Sequence, residues 1–154
     1  MGVRLSEEEI WAVVAAAPTG IVTTLRRDGW PVALPVWFVA LEREIYLRTA
    51  ETSRKVARIR NDRRASFLVE SGEHWSELRA ISMSAQASIE EDPARRERAL
   101  AALAEKYRGR RVSRTDLPEA TVRHYGSGGS VVVRLAPLGP VISWDNSRVR
   151  TRTP

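Results

Sequence analysis

A chain of 154 residues with 43% hydrophobic and 29% charged side chains has the length and composition of one folded domain with its own core, which excludes wholesale disorder. It has no cysteine and only two histidines, so disulfides, iron–sulfur clusters, thiolate zinc sites and histidine-rich metal centres are excluded, and no metal is expected. The net charge of +6 is uneven: residues 1–107 carry 16 basic and 16 acidic side chains, residues 108–154 carry 9 and 3.

The N-terminus, MGVRLSEEEIW, lacks the apolar run of a signal peptide, and no stretch reaches the roughly 18 apolar residues of a membrane span. The expectation is a soluble, cytoplasmic protein with no membrane partner. A single domain spans 1–154, with 108–130, rich in Arg, Gly and Ser, as a mobile connection and 147–154 as a basic tail. Lys55 and Lys106 are the only lysines, and an arginine excess of this kind fits codon composition. Arg108 to Arg114 contains no aromatic residue, so the interleaving of a nucleic-acid-tracking surface is missing and no nucleic acid is expected.

Ser6 to Glu9 is a capping-box pattern, and Ile10, Val13, Val14 and Ala17 follow at helical spacing, which predicts a helix over 6–17. Gly20 to Leu25 reads as a strand, Asp28-Gly29 as a hairpin turn, and Pro31 to Ala40 as a second strand that is apolar on both alternating sets and so buried on two faces. Ile45 to Thr49 is a third strand, and Ser53 caps a short helix over 53–61. Arg64 to Glu70 and Arg79 to Glu90 follow as strands. In the latter Ile81, Met83, Ala85, Ala87 and Ile89 alternate with Ser82, Ser84, Gln86 and Ser88, one face for the core and one for solvent, a ligand or a subunit. Asp92-Pro93 opens a helix to about residue 107, and Val131–Leu135 with Val141–Trp144 reads as a last hairpin around Pro137 to Pro140. Consecutive hairpins with helices between them predict an α+β or mainly β antiparallel barrel of six to seven strands with flanking helices.

No nucleophile elbow, phosphate loop or paired-carboxylate motif is present. The stretch Leu47 to Lys55 places a strand end, a tight loop and a helix start within nine residues. Helix N–H groups, the hydroxyls of Thr49 and Ser53 and the charges of Arg54 and Lys55 suit an anion such as a phosphate.

That stretch resembles the phosphate-binding segment of the pyridoxamine 5'-phosphate oxidase-like flavin-binding superfamily. Thr19 to Leu25, Asp28 to Pro31, Pro35 to Phe38, Asn61 to Ala65 and Arg79 to Ile89 occur in the family's order, so that the resemblance covers about residues 5–146. It is most similar to the flavin/deazaflavin oxidoreductase branch, many of whose members use coenzyme F420 in place of FMN. The resemblance implies a split β-barrel, a homodimer with two cofactor sites at the interface, and a small-molecule electron acceptor. Thr49, Ser53, Arg54 and Lys55 would hold the cofactor phosphate, with Pro35, Val36 and Trp37 along the tricyclic ring. Arg48 stands where the vitamin oxidases have tyrosine. Trp144 and Asp145 would line the partner's site or an interface hairpin, and Tyr125 is a proton-donor candidate. Val32 to Trp37 lacks the Arg and Lys of true vitamin oxidases, Ala80 replaces a glutamine that faces FMN, and Arg148, Arg150 and Arg152 come without the family's histidine. These departures favour the deazaflavin, with an FMN enzyme as the alternative. A non-enzymatic module for haem, another cofactor or nucleic acid is the third class.

Overall fold

The computed structural model describes residues 3–126 and 128–149 and, within them, all side chains but those of residues 114 and 124–126. The elements in order are α1 (Glu7–Ala16), β1 (Gly20–Leu25), β2 (Pro31–Val36), β3 (Val39–Leu41), β4 (Glu44–Ala50), α2 (Arg54–Asn61), β5 (Arg64–Ser71), β6 (Arg79–Ile89), α3 (Pro93–Lys106), α4 (Glu119–Gly126) and β7 (Ser130–Asp145). The helices start where side chains satisfy their free N–H groups. Ser6 and Glu9 form a reciprocal capping box on α1, Ser53 Oγ accepts from the Val56 N–H, and Asp92 caps α3 with Pro93 at its first position.

All strand pairs are antiparallel, in the spatial order β2-β1-β5-β6-β7-β4-β3. β2 and β3 are the two edges of this sheet, yet only Trp37 and Phe38 separate them in the chain. The sheet must therefore curl until the end of β2 lies beside the start of β3, which makes a half-barrel. Inside the curl Phe38 and Phe67, both fully buried, meet edge to face with centroids 4.8 Å apart, among Val22, Leu47, Ile81, Met83 and Leu135. β6 keeps its alternation, with Ile81, Met83, Ala85 and Ala87 buried and Ser84 and Gln86 exposed. A second apolar layer, Val39, Tyr46, Ala99, Leu103, Tyr107 and Val132, packs α3 on the outer face of β3, β4 and β7.

Two expectations are corrected here. The last hairpin does not exist: residues 130–145 form one long strand, paired with β4 at its start and with β6 along most of its length. Gly139, at φ 67°, makes an irregularity rather than a reversal, because Ser82 pairs with Ile142 and Ser84 with Leu138, so β7 carries two extra residues there. Nor is the second strand continuous and buried on two faces. It breaks after Val36, and in the single chain Pro31, Ala33, Leu34 and Pro35 are exposed because β2 is a sheet edge with no layer over it.

The C-terminal charges are partly engaged. Asp145, 3% exposed, accepts from Arg79 Nε at 3.0 Å and from Ser147 Oγ at 2.6 Å, and Arg148 donates to Glu9 at 2.5 Å. Residues 150–154 of the expected basic tail lie outside the described residues.

Gly20 starts β1 beneath the aromatic pair, and a Cβ built there would sit 2.3 Å from Phe67 Cζ. Phe67 is held by Phe38 and cannot retreat, so Gly20→Ala should destabilise the fold by about 1–3 kcal/mol, read as a lower urea midpoint. An unchanged midpoint would contradict this packing.

Candidate functional site

The strand–loop–helix at Thr49 to Lys55 forms one end of a cavity of about 940 Å³ that runs between β2 and α2. Its lining includes Thr49, Ser53, Arg54, Lys55 and Arg58 at the polar end, and Leu25, Val32 and Leu34 along an apolar wall; Arg26 and Arg27 add two more guanidiniums, and no lining residue is acidic. Arg26 is paired with Asp28 at 2.5 Å, whereas Arg27, Arg54 and Lys55 have no carboxylate partner among the described residues.

The local chemistry favours an anion. Ser53 Oγ already accepts from the Val56 N–H and from Thr49 Oγ1, each at 3.3 Å, so its own O–H is available to donate outward. The N–H groups of Arg54 and Lys55 are in the first helical turn and have no intrahelical acceptor. Arg58, one turn beyond Arg54, is fixed by its Nε bond to Thr24 Oγ1 at 2.7 Å. Burial, with Arg58 as a smaller contribution, depresses the Lys55 pKa below its ordinary value. A half-buried ammonium without a counter-ion is restored by an incoming phosphate. The cavity thus combines a cationic end with an apolar wall, a lining that suits a ligand with an anionic end and an apolar body.

Of the sequence candidates, Thr49, Ser53, Arg54 and Lys55 come together here, and Pro35, Val36, Trp37 and Arg48 do not. Pro35 is exposed outside the cavity lining, and Val36, 8% exposed, turns into the core. On the same strand it is Val32 and Leu34 that form the wall, two residues apart as one face of a strand requires. Trp37 and Arg48 line a second cavity of about 520 Å³ with Ala50, Leu103, Tyr107, Arg111, Leu117, Val122 and Ser130; Thr49 lines both cavities, so they adjoin. Trp37 stacks on Tyr107 with centroids 4.3 Å apart and planes within 4°. Tyr107 Oη accepts from the Phe38 N–H at 3.0 Å and has the carbonyl oxygens of Pro18 and Phe38 as acceptors, each at 3.0 Å. Arg58, Val32 and Leu34 were missed in the sequence, although Arg58 stands four residues after Arg54 on the same helical face. Trp144 is half-buried beside β6, and the side chain of Tyr125 is outside the described residues.

The family model for pyridoxamine 5'-phosphate oxidase matches residues 6–137, which include the whole cationic segment and both walls of the first cavity. The chain belongs to the pyridoxamine 5'-phosphate oxidase family. A conserved hypothetical protein from Mycobacterium tuberculosis is similar in structure, with a TM-score of 0.76 and 28% identity over 98% of this chain and 93% of that one. A FAD-binding protein from Mesorhizobium loti (TM-score 0.66, 18% identity, 90% and 93% of the two chains) shares the fold. So does the heme storage protein HutZ from Vibrio cholerae (0.67, 15%, 90% and 94%). No curated protein matches the sequence. Among the described residues no helix is long and apolar enough to cross a membrane, and no cluster of His, Asp or Glu could hold a metal ion.

Lys106, next in the chain to Tyr107 of the second cavity, has a buried ammonium. Lys106 Nζ lies 3.9 Å from the Phe38 ring centre and has no hydrogen-bond partner among the described residues. Burial, then the Arg110 charge, push its pKa from 10.5 down to about 8. With the folded value below the unfolded one, the unfolded chain binds more protons between these limits, so stability rises with pH from about 8 to 10.5. Lys106→Met should flatten that part of the stability–pH curve in urea titrations; an unchanged slope would contradict the placement of the ammonium.

Proposed function

We propose that this member of the family is an oxidoreductase that reduces a small conjugated or quinone-like acceptor, with a bound deazaflavin, coenzyme F420, supplying the hydride chemistry and FMN as the alternative cofactor. One observation carries the reading: a single cavity combines a carboxylate-free cationic end at Thr49, Ser53, Arg54, Lys55 and Arg58 with the apolar wall of Val32 and Leu34. The residues' task is to bind, orient and exclude water, which explains why no triad or acid–base pair is needed.

The preference for the deazaflavin rests on the uncharged wall of β2 and on Ala80, 4% exposed, where the family resemblance places a glutamine against FMN. The FAD-binding neighbour supports a flavin-type ring, and the heme storage neighbour makes haem the rival ligand. We further propose a homodimer with the site at its interface. β2 is a free edge carrying exposed Leu34, beside Trp30 at 69% exposure, and a second copy over this edge would shield the apolar wall and close the cavity from water. A soluble cytoplasmic setting, the supply of the acceptor by diffusion and the lack of a nucleic-acid or membrane partner complete the proposal.

The test is a titration of purified apo-protein with coenzyme F420, FMN and haemin, followed by absorbance and fluorescence. Tightest binding of the deazaflavin is expected. A Soret band from bound haem with no binding of either ring cofactor would overturn the reading, and FMN binding tighter than the deazaflavin would reassign the cofactor.

A further inference from the structure

We infer that the groove between the second half of α1 and the facing ends of β5 and β6 is a binding site for a small aliphatic zwitterion, a molecule of the α-amino-acid class. The groove shares no lining residue with the two cavities described above, and the inference does not rest on the proposed function.

The groove exists because the helix face above it is made of alanine. Ala12 and Ala16, one turn apart and both exposed, carry nothing beyond Cβ, so a space of about 430 Å³ remains between α1 and Val69 at the end of β5. That volume is of the size that holds a small organic molecule. Val13 and Pro18 extend the apolar wall, and a short branched hydrocarbon chain laid along it would leave water.

The polar groups along the groove are of two opposite kinds. α1 ends on an uncompensated negative pole: it has no basic residue in its last turn, the Ala17 N–H goes to the carbonyls of Val13 and Val14, and Pro18 brings no N–H. The carbonyls of Ala15 and Ala16 therefore have no backbone donor among the described residues. Glu70 lines the same groove and has no cationic partner among the described residues. Arg79 faces Ser71 across the ladder, and its Nε donates to Asp145 at 3.0 Å, which fixes the guanidinium and leaves the two terminal nitrogens out of that bond. Glu70 and Arg79 thus line one groove without forming an ion pair with each other. The carboxylate and the helix carbonyls accept from an ammonium group, while the guanidinium and the Ser71 hydroxyl donate to a carboxylate. A molecule that carries both charges on one carbon satisfies both sets; a lone amine meets the like charge of Arg79, and a lone acid that of Glu70.

The experiment is a titration of the isotope-labelled full-length protein, without cofactor and at low ionic strength, with L-leucine, isopentylamine and 4-methylpentanoate, which share one branched chain and differ in their charged groups. L-Leucine should bind about ten-fold or more tighter than either analogue, since each analogue gives up one charge-assisted contact. The largest amide shifts should fall on Ala16, Ala17, Ser71 and Arg79. Glu70→Gln should weaken leucine binding by about ten-fold without weakening that of 4-methylpentanoate, and Ala16→Trp, which fills the groove, should abolish binding. Both positions are exposed, so the variants should keep their unfolding midpoint, and the shifts of the unaltered protein locate the site independently of them. No binding, equal binding of the three compounds, shifts confined to other parts of the chain, or leucine affinity unchanged in both variants would overturn the inference. Because no cofactor is present, the result is separate from that of the cofactor titration, and either proposal can fail without the other.

Discussion

Lys55→Ala is expected to weaken binding of the phosphate-bearing cofactor by about ten-fold to a hundred-fold, the effect of one charge-assisted contact of roughly 1.5–3 kcal/mol. Lys55 belongs to the first turn of α2, beside the outward-facing hydroxyl of Ser53 and two unbonded helix N–H groups, and it has no competing carboxylate among the described residues. Arg54→Ala should act in the same direction, and the double variant should lose more than either single one. Because burial depresses the Lys55 pKa, its charge is lost earlier on raising the pH than that of an exposed lysine, so cofactor affinity should fall at alkaline pH and this fall should vanish in Lys55→Met. Fluorescence titration of wild type and variants checks both statements; equal affinity for wild type and Lys55→Ala would remove the cationic end from the account.

Loss of the Tyr107 ring should give the largest change in stability. Tyr107 joins the second cavity to the curl of the sheet: its ring carries Trp37, and its hydroxyl binds the backbone of Phe38, which with Trp37 connects the two edge strands. Tyr107→Phe should cost about 1–3 kcal/mol, since the buried Phe38 N–H is left without an acceptor. Tyr107→Ala should cost about 3–5 kcal/mol, because a cavity is added and the support for Trp37 is lost. Urea unfolding gives both values, and near-ultraviolet circular dichroism should report the released indole. A Tyr107→Phe variant as stable as wild type would show that the hydroxyl bonds add nothing to closure.

Much of the fold was legible because its signals are local. Ser6 with Glu9, Ser53 and Asp92-Pro93 announce helix starts, and the alternation from Ile81 to Ile89 announces a strand with one face in the core. What failed was non-local. Pro137 to Pro140 has turn chemistry, but β6 runs past it and pairs with both sides, so the sheet holds the segment extended. Pro31 to Val36 is apolar enough for a buried strand, yet it lies at the edge of the curl, a position fixed by pairing order and not by its own sequence.

The charge count shows the same contrast at the site. The excess of basic groups sits in residues 108–154, whereas the cations at the first cavity, Arg26, Arg27, Arg54, Lys55 and Arg58, all come from the neutral two-thirds. In the basic third, Arg108, Arg134 and Arg148 pair with Glu105, Glu44 and Glu9, and Arg111 reaches the second cavity. Clustering in space therefore decides the function of a charge, and only Thr49 to Lys55, contiguous in the chain, could be read beforehand. Trp37, Arg48, Tyr107, Arg111 and Ser130 span too much of the sequence for their cavity to have a motif.

In the proposed function, the cavity between β2 and α2 holds the cofactor with its phosphate on the start of α2. Amide chemical-shift mapping of isotope-labelled protein, titrated with coenzyme F420 and with FMN, tests it most directly. The largest shifts are expected on Val32, Leu34, Thr49, Ser53, Arg54 and Lys55. Shifts confined to other parts of the chain, with those six amides unmoved, would contradict it.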